Sequence, residues 1–228
     1  MVALLVILHW AVQLWSANIH GMVQKASVGP EEGAPKGRGR PRKFDEQQVI
    51  ESAIWAFFAK GFEGTTLGDL EEATGVDRST LYNSFGGKKG LYTSATTTYL
   101  DFAEAGLFEP LLVGTEDGFA DIFEFLARLR SGLTSDTAIP GCLIVNDMAA
   151  GADPGAAKRY REMLEEGVRR ALQRAGDDDA DRRAARAGML STSVLGVNLV
   201  SKTTGGDAAE IERLIVSMEH EVGRWKND

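Results

Sequence analysis

One cysteine, Cys142, is present in 228 residues. An intramolecular disulfide is therefore excluded, and a reducing cytoplasm fits. Histidine is almost as scarce. His9, His20 and His220 stand at no ligand spacing with one another or with Cys142, so no zinc site is expected. No glycine-rich phosphate loop and no nucleophile, base and orienter at recognisable spacing occur, which argues against an enzyme and against a cofactor. With only 6 prolines and no strand-like alternation, the chain reads as mainly helical. Uncharged apolar sequence is concentrated at the start, Met1 to Ala17 (MVALLVILHWAVQLWSA). That run is shorter than the ~20 residues of a membrane span and lacks the basic n-region of a signal peptide. A membrane anchor, a helix packed on the protein and sequence upstream of a true start at Met22 remain as readings. The last is adopted, and no membrane partner is expected.

What the chain does have is enough apolar sequence, 43% hydrophobic, to build a core, and an uneven distribution of charge. The net charge of −8 argues at first against nucleic acid. Lys36, Arg38, Arg40, Arg42 and Lys43, however, place five positive charges within eight residues, leaving −13 on the remainder. A short basic arm on an acidic body is suited to phosphate. The surrounding stretch, Val23 to Lys43, is rich in Gly, Pro and charge and too polar to order itself. Within it Gly39-Arg40-Pro41-Arg42 resembles the core of an AT-hook, whose arginines enter a narrow A·T minor groove.

From Phe44 the pattern turns helical. Ile50, Ala53, Ile54, Phe57 and Phe58 form one apolar stripe on a helix over 45–60, with Gly61 as its stop. Thr66 and Asp69 have the spacing of a capping box that opens a short helix, 67–73, with Leu67, Leu70 and Ala73 inward. Gly75 permits a tight turn, Val76 plugs it, and Asp77 caps a third helix over 78–84. Leu81 and Phe85 face inward; Arg78, Ser79, Thr80, Tyr82 and Asn83 face out. Two short helices about a glycine turn make a helix-turn-helix, the second helix entering the major groove.

In order and spacing, the run Ile50 to Leu91 resembles the DNA-binding domain of the TetR family of transcriptional regulators. Ala53, Phe58, Gly61, Phe62, Thr65-Thr66, Gly75-Val76, Thr80-Leu81-Tyr82, Phe85, Lys88 and Leu91 carry the likeness. It implies an all-α protein with an N-terminal three-helix DNA-binding domain and a C-terminal helical domain for ligand binding and dimerisation. The resulting organisation is 1–43 extension and arm, 44–95 DNA-binding domain, 96–228 effector and dimer domain. The resemblance further implies a dimeric cytoplasmic regulator, a repressor, on a palindromic double-stranded operator, released by a small effector. Tyr82 matches a tyrosine that touches the DNA backbone, and Lys88 a lysine that holds a phosphate. Lys89 stands where the family commonly has an acid, and Ser84 replaces a larger polar residue. The DNA-contact set is thus Arg40, Arg42, Thr66, Arg78, Ser79, Thr80, Tyr82, Asn83, Lys88 and Lys89. Between Asp45 and Leu91 eight acids oppose four bases, so the headpiece itself is acidic and the arm is the expected supplement.

Further helices are expected over 88–108, ended by Pro110, over 116–134, from Pro140, over 153–175, over 178–203 and over 207–226. Ile211, Leu214, Ile215, Met218, Val222 and Trp225 form an apolar stripe; Ala184, Ala187, Gly188 and Ser191 form a small-residue face. The resemblance makes these last two helices the dimer bundle, although an intramolecular core would bury the same stripe. Five phenylalanines, Phe102, Phe108, Phe119, Phe123 and Phe125, mark either a core or an apolar effector pocket. Gly141 to Asn146 resembles a segment of one TetR branch in which some relatives sense electrophiles through a cysteine. Phe119, Phe123, Cys142, Asn146 and Met148 are the effector-binding candidates, with Cys142 read as packing around a non-covalent apolar ligand. A helical protein-interaction or membrane-tethered module without DNA binding is the alternative.

Overall fold

Apolar stripes and capping side chains carry the chain into one helix after another. The computed structural model describes residues 44–135 and 138–226, and every regular element among them is helical. In order these are α1 (Glu46–Gly64), α2 (Leu67–Thr74), α3 (Arg78–Phe85), α4 (Lys88–Ala105), α5 (Glu109–Leu112), α6 (Gly118–Thr134), α7 (Leu143–Met148), α8 (Pro154–Arg174), α9 (Ala180–Thr204) and α10 (Ala208–Trp225). None of the described helices is long and apolar enough to cross a membrane. The apolar run Met1 to Ala17 and the basic arm lie outside the described residues.

Two prolines act differently from expectation. α4 ends at Ala105, where the Gly106 N–H closes onto the Phe102 carbonyl at 2.9 Å. Pro110 then lies in the first turn of α5, where its missing N–H costs nothing. Pro140 lies in the loop before α7, and Cys142 takes the position before that helix. The expected stop at Gly61 is present as a break, φ 70 and ψ 171, after which the chain turns helically as far as Gly64.

In the headpiece Val49, Ala53, Ile54, Phe57 and Phe58 of α1, Leu70 of α2, Leu81 of α3 and Leu91 and Tyr92 of α4 are all buried, and α1 packs on α2 and α4. Each buried Val, Ile, Leu or Phe among them contributes about 1.5–3 kcal/mol. The inner faces are rotated slightly from expectation: Val49 is buried while Ile50 is half-buried, and Ala73 is exposed. α4 continues beyond the headpiece and packs on α5, α7 and α8, so one helix belongs to both halves.

The larger core centres on Phe108, Phe125 and Tyr160, with ring centroids 5.7 and 5.4 Å from Phe108. A Cβ on Gly118 would fall 1.7 Å from the Ala171 carbonyl oxygen, so α6 presses directly on the α8 backbone. Nearby the buried Asp121 accepts bonds from the Thr115 N–H at 2.9 Å and from Arg174 Nη2 at 2.9 Å, tying the loop before α6 to the end of α8. Ile211, Ile215, Met218, Val222 and Trp225 are buried within the chain, and α10 packs on α6. The stripe expected at a dimer interface is therefore intramolecular core. A different stripe is left exposed on α9: Ala185, Met189, Thr192, Gly196, Leu199 and Thr203, spaced at helical intervals.

Candidate nucleic-acid interface

α2 and α3 are fixed by their caps. Thr66 Oγ1 accepts the Asp69 N–H at 3.1 Å, and the Asp69 carboxylate accepts both the Thr66 N–H and hydroxyl at 2.7 Å. The Lys60 ammonium, 2.5 Å away, and the Thr66 bonds hold that carboxyl far below the usual carboxylate range. Gly75 turns left-handed at φ 71 and ψ 11, and Asp77 opens α3 by accepting the Ser79 hydroxyl and the Thr80 N–H, each at 2.7 Å. Those two bonds lower the Asp77 carboxyl pKa. Glu71 reaches across the turn to the Arg78 N–H at 2.7 Å and to its guanidinium at 3.3 Å. Several headpiece acids are thus spent inside the motif, and the acidity of the bare charge count is partly neutralised where α3 begins.

The same bonds sort the expected DNA-contact residues. The side chains of Thr66, Ser79 and Arg78 already serve the motif as cap, cap partner and brace. Thr80 is half-buried. Tyr82, 55% exposed, and Asn83 project from α3 with no side-chain hydrogen bond among the described residues, and they form its open face. The Tyr82 ring lies against Gly87, where a Cβ would meet Cε1 at 2.7 Å. Gly87 has φ 83 and ψ −160, a conformation open essentially to glycine alone. Lys88 and Lys89 both fold over the Phe62 ring, 4.4 and 5.4 Å from its centroid. The Lys88 ammonium donates to the Glu63 carbonyl at 3.4 Å and that of Lys89 to the Ala152 carbonyl. Arg40 and Arg42 lie outside the described residues.

The effector candidates are not brought to one lining. Cys142 is buried, and its Sγ takes the Tyr99 hydroxyl at 3.4 Å and faces that of Tyr160. Burial pushes the thiol up, against smaller opposing contributions from the tyrosine hydroxyls and the N–H groups of Val145 and Ile144. Both polar atoms of the Asn146 amide are buried without a hydrogen-bond partner, and a Cβ on Gly141 would fall 2.4 Å from its Oδ1. Phe119 instead faces an open cleft with Glu116, Arg174 and Lys226. A second open cleft lies among Asp101, Glu104, Leu112 and Arg159. Neither reaches Cys142, Asn146 or Met148, while Phe123 and Met148 pack, half-buried, on the core. Sequence reasoning missed Gly87 and Asp147. Gly87 carries a signal, a second glycine after the helix C-cap. Asp147 carries none, because its partners lie 55 and 85 residues away.

Comparison with known proteins agrees with this geometry. The family model for bacterial regulatory proteins of the tetR family matches residues 49–95. The HTH-type transcriptional regulator YezE of Bacillus subtilis is 31% identical over 189 residues, covering 77% of this chain and 93% of that protein. The HTH-type transcriptional repressor ComR of Escherichia coli is 32% identical over 112 residues, 49% of this chain and 53% of ComR. Among solved structures, a cysteine variant of the TetR family regulator CifR in complex with 26-bp double-stranded operator DNA superposes with a TM-score of 0.68 at 27% identity, over 82% of this chain and all of that one. Reduced NemR of E. coli shares the fold, TM-score 0.63 at 16% identity over 76% of this chain and 94% of its own. The chain belongs to the tetR family of bacterial regulatory proteins and is a DNA-binding transcriptional regulator.

Proposed function

We propose that the protein is a repressor that binds a palindromic operator as a homodimer and leaves it when a small apolar effector enters the C-terminal domain. The open face of α3 carries this reading: Tyr82 and Asn83 project while their neighbours are consumed in caps, and Lys88 and Lys89 follow at the start of α4. Thr80 stands at the edge of that face and Lys88 is the phosphate contact, while Arg78 and Lys89 are engaged by Glu71 and by the Ala152 carbonyl. Arg40 and Arg42 would add charge from the arm, on the strength of sequence alone. In this reading α4 joins a DNA-binding domain, 44–95, to an effector and dimer domain, 96–228. ComR and the IcaR proteins of Staphylococcus aureus bear the name of repressor or negative regulator, and CifR was solved on operator DNA, which supports the assignment. The fold and the chemistry give no reason to assign catalysis, and a cytoplasmic location fits a DNA-binding regulator.

Dimerisation is assigned to the exposed stripe of α9 with Val216 of α10. Met189, Leu199 and Val216 are large apolar side chains left open there. One eight-residue recognition helix contacts few bases, so two half-sites are needed for useful specificity. The effector is assigned to the region of Tyr99, Cys142, Asn146 and Tyr160, where an unpartnered buried amide awaits a polar atom on an otherwise apolar ligand. The deciding experiment is selection of duplexes from a randomised pool, followed by anisotropy titration of the selected duplex. An inverted repeat bound at two protomers per duplex is expected. Failure to enrich any sequence, or binding of one protomer to an asymmetric site, would overturn the reading.

A further inference from the structure

The contact between α7 and the headpiece includes a polar seam. Asp147, in the last turn of α7, directs one carboxylate oxygen, Oδ2, at two donors: the Phe62 N–H and the Tyr92 hydroxyl, each at 2.9 Å. The Phe62 N–H is presented there because Gly61 breaks the helix just before it, and a Cβ on Gly61 would approach Asp147 Oδ1 at 3.0 Å. The Tyr92 ring is buried, set edge-on to Phe57 at 4.9 Å and tilted on Phe62 at 4.8 Å. Its hydroxyl therefore has little freedom to find another partner, and burial together with the Asp147 carboxylate drives its pKa up.

Two more bonds run along the same line. Asp153 Oδ2 accepts the Thr96 hydroxyl at 2.8 Å, and the Ala152 carbonyl accepts the Lys89 ammonium. Lys89, Tyr92 and Thr96 stand at i, i+3 and i+7, a single face of α4. The segment 147–153 thus grips two turns of α4, and the Asp147 carboxylate also holds the end of α1. α3 packs on α4 as well as on α2 and is joined to α4 only by Gly86 and Gly87, so the placement of α4 against α1 bears on where α3 points. An apolar seam would tolerate sliding. Two bonds converging on one oxygen do not, because hydrogen bonds weaken steeply with distance and angle.

We propose that Asp147 is a positioning residue for DNA recognition. Its carboxylate locks α1 and α4 in the register at which α3 meets the groove, and so couples operator discrimination to the state of α7. The inference rests on the DNA-binding reading above. Its test uses a fluorescein-labelled duplex selected by the wild-type protein, beside a scrambled duplex of the same length. Asp147→Ala is expected to lose affinity for the selected duplex by on the order of ten-fold. Affinity for the scrambled duplex, set by phosphate contacts, is expected to stay within about two-fold. Asp147→Asn keeps an oxygen able to accept both bonds and is expected to recover most of the loss. Tyr92→Phe drops one donor and keeps the ring contacts, so its loss is smaller, and adding it to Asp147→Ala costs nothing further. A purely structural carboxylate would lower the melting temperature and weaken both duplexes together. That result, a loss that Asp147→Asn does not recover, or full discrimination in a folded Asp147→Ala overturns the proposal. Should Asp147→Ala not fold, undiminished discrimination by Tyr92→Phe overturns it instead. A wild-type protein that selects no duplex removes the DNA-binding reading and this inference with it.

Discussion

Gly86 and Gly87 offer a matched pair that separates stability from recognition. Both have positive φ, and each lies in the turn between α3 and α4. A Cβ at Gly86 meets nothing within 4 Å, and its φ 76, ψ 23 is left-handed helical. Gly86→Ala is therefore expected to cost about 1–2 kcal/mol of backbone strain and nothing else. At Gly87, φ 83 and ψ −160 make the backbone strain about 1–3 kcal/mol. The added methyl would also lie 2.7, 3.0 and 3.3 Å from three atoms of the Tyr82 ring. That ring is more than half exposed, so it relieves the clash by swinging outward, and little of the collision registers as instability. Melting temperatures of the two variants should hence fall by comparable amounts, at about 2–4 °C per kcal/mol for a chain of this size. Operator affinity, measured by anisotropy at a temperature where both are folded, should drop in Gly87→Ala alone and match that of Tyr82→Ala. Equal affinities for Gly86→Ala and Gly87→Ala would show that Tyr82 does not touch DNA, or does not depend on its seat.

Cys142 is expected to resist maleimide in the native protein and to label promptly in denaturant, since burial raises its pKa and leaves little thiolate at neutral pH; rapid native labelling would contradict the packing role. Asp121→Asn should destabilise the fold by about 1.5–3 kcal/mol, because the amide keeps an accepting oxygen but loses the charge that meets the Arg174 guanidinium. Burial raises the Asp121 carboxyl, but the Thr115 and Arg174 bonds outweigh it and the net shift is downward. The wild type therefore draws stability from this group above the unfolded carboxylate pKa of about 3.9 and loses it as pH falls through the lower folded value. Chemical denaturation from pH 7 to pH 3 should show a shallower acid limb in Asp121→Asn. Leu199→Glu should halve the mass seen by light scattering and abolish tight operator binding; an unchanged mass would move the dimer interface elsewhere.

Much of the fold was legible because caps and periodicity are local. Thr66 with Asp69, Asp77 with Thr80 and the glycines at 61 and 75 act within a few residues, and each does what its spacing implies. Pro110 and Pro140 misled for the opposite reason. A proline fits either just after a helix or just inside the next, and only the surrounding chain decides. The apolar stripe of α10 was ambiguous in the same way: Ile211, Ile215 and Val222 have one periodicity whether they meet α6 of their own chain or a second copy. On α3 the sequence placed Leu81 inward and Tyr82 and Asn83 outward, whereas Thr80 and Phe85, expected on opposite faces, are both half-buried. It could not show that Arg78 and Ser79 already have partners, since that depends on where Glu71 and Asp77 reach.

α7 has six residues, less than two turns. A helix that short has no stability of its own in water and takes its order from its neighbours. The seam at Asp147 is therefore built on an element held by its buried Leu143 and Ile144 rather than by its own length, and it is expected to open before the long helices around it. In a denaturant titration, grip on the operator should fade before ellipticity does. Amides of residues 143–148 should exchange with solvent ahead of those in α8. In the proposed reading the effector has no long helix to break; displacing this short one is enough.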